Sequence, residues 1–436
     1  MEKFIITGDN RLRGDLTVKG AKNAVLPILA ACLLSNDVCV LNNVPNLQDV
    51  SVMCELLKSY GAKISREART LTVDSRNISG GDAPADVIKK MRASNLVLGP
   101  ILSRFHQVRL PFPGGCAIGM RPMNYHLKAL QALGADLREK GGFIEAYTTG
   151  LYGCGICLDF PSVGATENIM MAASLAYGTT VLSNAAREPE IIDLADFLKK
   201  LGAKIKGAGS DIIVIEGVSA LHGGEYTVMP DRIEAGTFLI AAAMTGGDIY
   251  LRNAKADDLT ALIAKLREAG ATVQADNGGI RLQSRARLKS VDIQTMPYSG
   301  FPTDLQAQFM ALMTTAQGSS VISENVFENR FKHAEQLCLM NADINILGRA
   351  AVVKGVPNLN GAVVNATDLR AGAALVIAGL AARGETVVKN VFYIDRGYEN
   401  IEESFNVLGG NIKRVKSLKK AEHVQAGKKA ECVVSL

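Results

Sequence analysis

The sequence predicts an α/β protein of two similar domains, each assembled from three units of about 70 residues around buried helices. Three observations predict it. One phrase recurs six times: an amphipathic helix closing on small residues, then a strand. It reads YGAKI at 60–64, LGADL at 133–137, LGAKI at 201–205, AGATV at 269–273, MNADI at 340–344 and LGGNI at 408–412, at steps of 68 to 73 residues. Each unit also opens with a helix so rich in Ala, Leu and Ile that it reads as buried on nearly every side. Finally, the strand count leaves the sixth unit one strand short and the N-terminal segment one strand in excess.

The elements follow in order. The buried helices are AKNAVLPILAACLL from Ala21, RASNLVLGPILSRF from Arg92, GATENIMMAASLAY from Gly164, IEAGTFLIAAAM from Ile233, TDLQAQFMALMTT from Thr303 and TDLRAGAALVIAGLAA from Thr367. A short strand comes next (VCVLNN, TTVLSN, GDIYLRN, SSVISEN, ETVVKN), then an amphipathic second helix such as IIDLADFLKKLG. A two-stranded hairpin completes each unit, and one more strand precedes the next buried helix (DLTV, GICLDF, YTVM, VDIQT, AVVNA). The spare strand at Asp15–Val18 is expected to pair with the sixth unit, because an unpaired edge is a liability. The expected domains are therefore 21–230, and 231–436 together with 1–20.

Composition narrows the function. The chain is 48% hydrophobic and 21% charged, so it is neither a disordered nor a collagen-like polymer. It has no Trp and 5% aromatics, which speaks against stacking platforms for nucleic acid. The longest apolar run, Ala371–Ala382, falls short of the roughly 18–20 residues a bilayer requires. Met1-Glu2-Lys3 leads into a strand rather than a signal sequence, so a cytoplasmic protein without stable membrane association is expected. The net charge of +5 equals the excess of seven Lys/Arg over two Glu in residues 412–436. The neutral remainder argues against a nucleic-acid surface, and the basic tail beyond about Lys416 reads as a solvated terminus. Eight scattered cysteines suit a reducing compartment, and Cys154-Gly-Ile-Cys157 has no second pair. The five histidines show no ligand spacing, so no metal site is expected.

Cations sit where they oppose the helix dipole. Lys22, Arg92, Arg232 and Arg370 stand at starts of buried helices, and Arg121, Arg187, Lys255, Arg330 and Arg396 near starts of second helices. Each costs about 0.3–1 kcal/mol if exposed. At equivalent places in a repeat they predict an anion site in a cleft between the domains, suited to phosphates and carboxylates. Two further features point to chemistry. Residues 111–122, PFPGGCAIGMRP, interrupt the second unit with three glycines and read as a mobile lid. Cys116 there lies close to Arg121, which favours the thiolate. Asp304 is the acid that faces the cationic set, although it also fits an ordinary helix start after Thr303.

These residues fall in motifs of a known family. GAKNAVLP (20–27), MRAS (91–94), PGGCAIGMRP (113–122), SVGATEN (162–168), NAAREPEI (184–191), FPTDLQAQF (301–309), VFENRF (326–331) and IDRGYENIEE (394–403) are the most specific pieces of a likeness that covers essentially residues 1–416. Through them the chain resembles the UDP-N-acetylglucosamine enolpyruvyl transferases of the EPSP synthase family. The resemblance implies two domains of three βαβαββ units around internal helices, an inside-out α/β barrel with its active site in the interdomain cleft. It implies phosphoenolpyruvate and UDP-N-acetylglucosamine as substrates and no cofactor. Lys22, Arg121 and Arg396 would hold the phosphate and carboxylate of phosphoenolpyruvate. Asn23, Arg92, the segment Arg121, Pro122, Met123, Asn124 and Tyr125, then Ser162, Val163, Gly164, Asp304 and Val326 would bind the UDP-sugar. Met123-Asn124-Tyr125 differ from the family's uracil-side residues. Arg330 and Arg370 would line the cleft, Asp304 would be the general base, and Cys116 the general acid and the residue alkylated by fosfomycin. The cysteine in PGGC and the SVGATEN motif argue against the sister enzyme acting on shikimate 3-phosphate. Intact Lys22, Cys116, Asp304 and Arg396 argue against an idle binding paralogue. The oligomeric state stays open and is compatible with a monomer.

Overall fold

A computed structural model of the chain describes residues 2–82, 84–112, 119, 123–284 and 287–416. Two separate apolar cores organise it. One runs from Ala21 to Met229, and the other combines Phe4–Val18 with Ile233–Ile412. Each core is filled by three central helices: Lys22–Ala31, Leu98–Phe105 and Val163–Ala173 in the first, Arg232–Met244, Gln306–Met313 and Leu369–Ala381 in the second. Their sides carry few polar groups, so they are stable only surrounded by protein. Small residues let them approach: a Cβ at Gly99 would lie 2.6 Å from the Asn168 carbonyl oxygen, and the Gly99 N–H donates to the Asn168 side chain at 2.8 Å.

Among the described residues six small sheets surround the helices and remain separate, with no strand ladder closing into a barrel. The repeat is visible in the pairing. In the fifth unit, Ser319–Ser323 pairs antiparallel with Ala350–Lys354, which forms a hairpin with Asp343–Leu347; Ile293–Gln294 of the preceding unit adds in parallel. The recurring phrase is a helix stop. Gly61, Gly134, Gly202, Gly270 and Gly409 have φ between +87 and +105°, where glycine is strongly preferred. Asn341 takes that place in the fifth unit at φ +72°, the left-handed position that asparagine tolerates best after glycine. In the second unit the sheet has three strands, Gln107–Pro111, Phe143–Tyr147 and Asp136–Lys140, with an isolated bridge from Asp82 to Arg109 where a fourth would add.

The N-terminal segment supplies two strands to the second core. Glu2–Thr7 lies between Glu385–Lys389 and Ile412–Lys416 and completes the sixth sheet. Arg13–Thr17 does not pair with the sixth unit as expected. It joins Asp248–Arg252 of the fourth unit in parallel register. The reason lies in the repeat, where a closing strand adds to the next unit's sheet within its own domain, and the last returns to the first: Gly224–Thr227 of the third unit likewise pairs with Val38–Asn42 of the first. Arg13–Thr17 thereby links the sixth unit back to the fourth. The chain crosses between the cores at Gly20 and Pro230, which bridge each other. Among the described residues no helix is long and apolar enough to cross a membrane.

Candidate active site between the two domains

The crossing strands bring the starts of central helices from both domains to one cleft. Lys22 is the first residue of its helix and nearly buried, and its backbone N–H donates to Asp231 of the other domain at 3.1 Å. Its ammonium meets Asp49 Oδ2 at 2.8 Å. Asp49 opens the helix Gln48–Ser59, and its other oxygen accepts from Arg396 Nε at 3.0 Å across the domain boundary. Burial pushes the Lys22 ammonium below its ordinary range; Asp49 opposes this, while Arg370 and Arg396 reinforce it. Burial would raise the Asp49 carboxyl, but Lys22 and Arg396 outweigh that and hold it low.

Asp304 forms the second node. It sits in the short 3-10 turn Thr303–Leu305, at the entrance to the helix Gln306–Met313. Arg330 reaches its Oδ1 at 3.0 Å and Arg370 its Oδ2 at 2.8 Å, while Asn23 from the other domain approaches Oδ2 at 3.5 Å. Both guanidiniums are almost wholly buried, whereas the carboxylate keeps 26% of its side-chain surface open to the cleft. Arg370 also donates to the Tyr398 hydroxyl at 3.1 Å, which lies 2.9 Å from Thr237 Oγ1. Buried Glu324 braces the turn, accepting from Thr303 Oγ1 at 2.9 Å and from Val326 N–H at 2.9 Å. The two carboxylates thus hold four of the expected cations, Lys22, Arg396, Arg330 and Arg370.

Two other expected cations do not join them. Arg232 turns to Glu190, donating at 3.0 and 3.2 Å in a buried pair between the domains, and stacks over Tyr298 at 5.4 Å. Arg187 donates to the Tyr298 carbonyl at 2.8 Å. Arg232 is neutralised by a carboxylate of the neighbouring domain and Arg187 is held by a backbone carbonyl there, so these two form an interdomain clasp. Beside it, Glu167 is pushed far up by burial and then by Glu190 and Glu188.

Among the UDP-sugar candidates, Ser162 caps the helix Val163–Ala173 by accepting from Ala165 N–H at 3.4 Å. Gly164 is packed against His126: a Cβ there would lie 3.2 Å from the imidazole. The helix Asn124–Ala132 starts after Met123, whose sulfur accepts from Asn95 Nδ2 at 3.2 Å; Asn124 is exposed and Tyr125 half-buried. Arg92 opens the 3-10 helix Arg92–Val97 before the second central helix. Cys116, Arg121 and Pro122 lie outside the described residues, as does most of the expected lid. Of its residues 111–122, Pro111, Phe112 and Gly119 are described: Pro111 ends the strand Gln107–Pro111, and a Cβ at Gly119 would collide with the Glu328 carboxylate of the other domain. Sequence reasoning missed Asp49, Glu190, Glu324 and Tyr398. Only Glu190 and Tyr398 lay within quoted motifs. Among the described residues no His, Cys, Asp and Glu side chains are grouped to hold a metal ion.

Comparison with known proteins places this architecture among the enolpyruvyl transferases. The enolpyruvyl transferase NikO from Streptomyces tendae superposes with a TM-score of 0.86 at 25% identity, covering 96% of this chain and 99% of that one. EPSP synthase from Acinetobacter baumannii shares the fold at a TM-score of 0.74 and 19% identity, covering 95% of this chain and all of that one. The sequence profile described as EPSP synthase (3-phosphoshikimate 1-carboxyvinyltransferase) matches residues 6–405. The chain belongs to the EPSP synthase family. Within it, a UDP-N-acetylglucosamine 1-carboxyvinyltransferase of Carboxydothermus hydrogenoformans is 53% identical over 415 residues, 95% of this chain and 99% of its own length. One from Desulfatibacillum aliphaticivorans is 51% identical over 416 residues, 95% of this chain and 100% of its own.

Proposed function

We propose that the chain transfers the enolpyruvyl group of phosphoenolpyruvate to the 3-hydroxyl of UDP-N-acetylglucosamine with release of phosphate, the first committed step of bacterial peptidoglycan synthesis. The observation that carries this reading is the pair of carboxylate-centred nodes facing one cleft from two domains, in a chain 53% identical to a carboxyvinyltransferase of that substrate. Lys22, Arg396 and Arg121 bind the phosphate and carboxylate of phosphoenolpyruvate. Asn23, Arg92, Arg121, Pro122, Met123, Asn124, Tyr125, Ser162, Val163, Gly164, Asp304 and Val326 receive the UDP-sugar. A cytoplasmic location suits both substrates.

The chemistry divides between two proton transfers. Asp304 takes the proton from the 3-hydroxyl as its oxygen bonds to C2 of the enol phosphate. Cys116 delivers a proton to C3, giving a tetrahedral ketal. In the second half the transfers reverse: C3 returns a proton to the Cys116 thiolate, the C2–O bond to phosphate breaks with the proton held by Asp304 going to the leaving phosphate, and the vinyl ether forms. Negative charge remains on phosphate and carboxylate, so preplaced cations stabilise the transition states without reorganising. Closing the domains excludes water from the intermediate. Phosphate release measured with UDP-N-acetylglucosamine and separately with shikimate 3-phosphate tests the proposal. Turnover with the nucleotide sugar alone is expected; turnover with shikimate 3-phosphate instead overturns it.

A further inference from the structure

Arg396 reaches Asp49 from the end of a six-residue 3-10 helix, Val391–Arg396, a short element with little rigidity of its own. Its neighbour Asp395 is gripped from behind. Arg414, on the strand Ile412–Lys416, donates to Asp395 Oδ1 at 2.6 Å and Oδ2 at 3.0 Å. The same guanidinium donates to Glu402 at 2.6 and 3.3 Å and to Glu2 at 2.8 Å, with its plane over Phe4 at 4.9 Å. One arginine therefore fixes the turn bearing Arg396 to the N-terminal strand and to the helix Ile401–Val407. After Arg396 the chain is held again, since a Cβ at Gly397 would lie 2.6 Å from Leu369.

We infer that Arg414 and Asp395 are positioning residues for the reaction, setting the direction in which Arg396 enters the cleft. The inference rests on the reading that Arg396 meets phosphoenolpyruvate. A planar fork gripping both carboxylate oxygens fixes Asp395 in orientation as well as distance, which a point charge would not. Since Asp395 and Arg396 are consecutive, rotation of the turn that releases the first redirects the second. The other two carboxylates provide the contrast: Glu2 and Glu402 share Arg414 but lie on the neighbouring strand and the following helix, outside the turn that bears Arg396. A purely structural hub would lose the same function whichever carboxylate was removed. A positioning hub responds chiefly to Asp395.

The test uses steady-state kinetics on the full chain with both substrates varied. Asp395→Asn should raise KM for phosphoenolpyruvate about tenfold, with KM for UDP-N-acetylglucosamine and kcat changed less than about twofold. Arg414→Lys, which keeps the charge and loses the fork, should do the same and serves if Asp395→Asn does not fold. Glu2→Gln should lower the unfolding midpoint and leave both KM values unchanged. Equal losses of midpoint in Asp395→Asn and Glu2→Gln, with KM for phosphoenolpyruvate unmoved in the first and in Arg414→Lys, would overturn the inference. Arg396→Lys separates the levels. If it raises that KM while Asp395→Asn and Arg414→Lys do not, the positioning role alone fails; if it does not, the assignment of Arg396 to phosphoenolpyruvate fails as well.

Discussion

Asp49 and Arg396, 347 positions apart in the chain, join the two domains through a charged hydrogen bond of 3.0 Å, and the same carboxylate holds Lys22 at 2.8 Å. It therefore supports the charge of a buried ammonium that desolvation and two arginines push toward neutrality. Removing the negative charge in Asp49→Asn moves the Lys22 pKa further down. The cationic form that binds phosphate is then lost at lower pH. The alkaline limb of kcat/KM for phosphoenolpyruvate should shift down by about one unit or more, read from a pH profile of phosphate release. An unshifted limb would remove Asp49 from this role.

Asp304 faces the cleft between Arg330 and Arg370. Asp304→Asn keeps the shape and loses the base. Turnover should fall by about 10²–10⁴-fold with both substrates still bound, and isothermal titration of UDP-N-acetylglucosamine separates loss of chemistry from loss of binding.

Glu190 and Arg232 are 3% and 8% exposed, so neither charge is solvated by water. Glu190→Gln leaves a guanidinium buried without its counter-ion and should destabilise the protein by about 3–5 kcal/mol. The double change Glu190→Leu with Arg232→Met should recover most of that. Denaturant midpoints compare the three proteins.

Glu234 sits beside the crossing strand and accepts from Lys19 N–H at 2.8 Å. Burial lifts its carboxyl to about 7 against the opposing Lys19. The folded protein thus keeps a proton that the unfolded chain gives up near pH 4.3. The associated stability is fully present below that pH and lost as pH rises through 7. Glu234→Gln retains an acceptor for Lys19 and never ionises. Its thermal midpoint should gain on the parent between pH 5 and 8; parallel curves would refute this.

Cys116 should be the thiol alkylated by fosfomycin, because a phosphonate epoxide is drawn to the same cations as phosphoenolpyruvate. Cys32 is fully buried and burial pushes its thiol well up, which makes it a poor competitor. Peptide mass spectrometry should place the adduct on Cys116, and Cys116→Asp should resist the epoxide and work best at low pH. An adduct elsewhere would reassign the acid.

The repeat was legible because each unit spells its helix stop with Gly or Asn and its central helix with Ala and Leu, both local signals. Lys22 and Arg370 were legible because a cation at a helix start contradicts the dipole. Arg330 precedes the helix Lys332–Cys338, and Arg396, expected near the start of a second helix, instead ends the 3-10 helix Val391–Arg396. Asp49 was not legible: an acid in a first helical turn is the ordinary residue there, and only folding brings it to Arg396. The same cation rule failed at Arg232 for a related reason, since its neutralising partner Glu190 belongs to the other domain. The strand expected at Asp15–Val18 runs over Arg13–Thr17 and packs with the second core but has a different neighbour, because the repeat shows that a strand must close and its register with Asp248–Arg252 appears only in three dimensions.

The strand Glu2–Thr7 sits between Glu385–Lys389 and Ile412–Lys416. During synthesis it leaves the ribosome more than 370 residues ahead of its two neighbours. At about 5–20 residues per second it waits roughly 20–80 s for them, while all of residues 21–229 can collapse into their own core. The first domain can therefore mature on the ribosome, whereas the second stays open until its outermost strand is made. Ribosomes stalled shortly before residue 385 should carry a protease-resistant first domain joined to a second that is still cleavable.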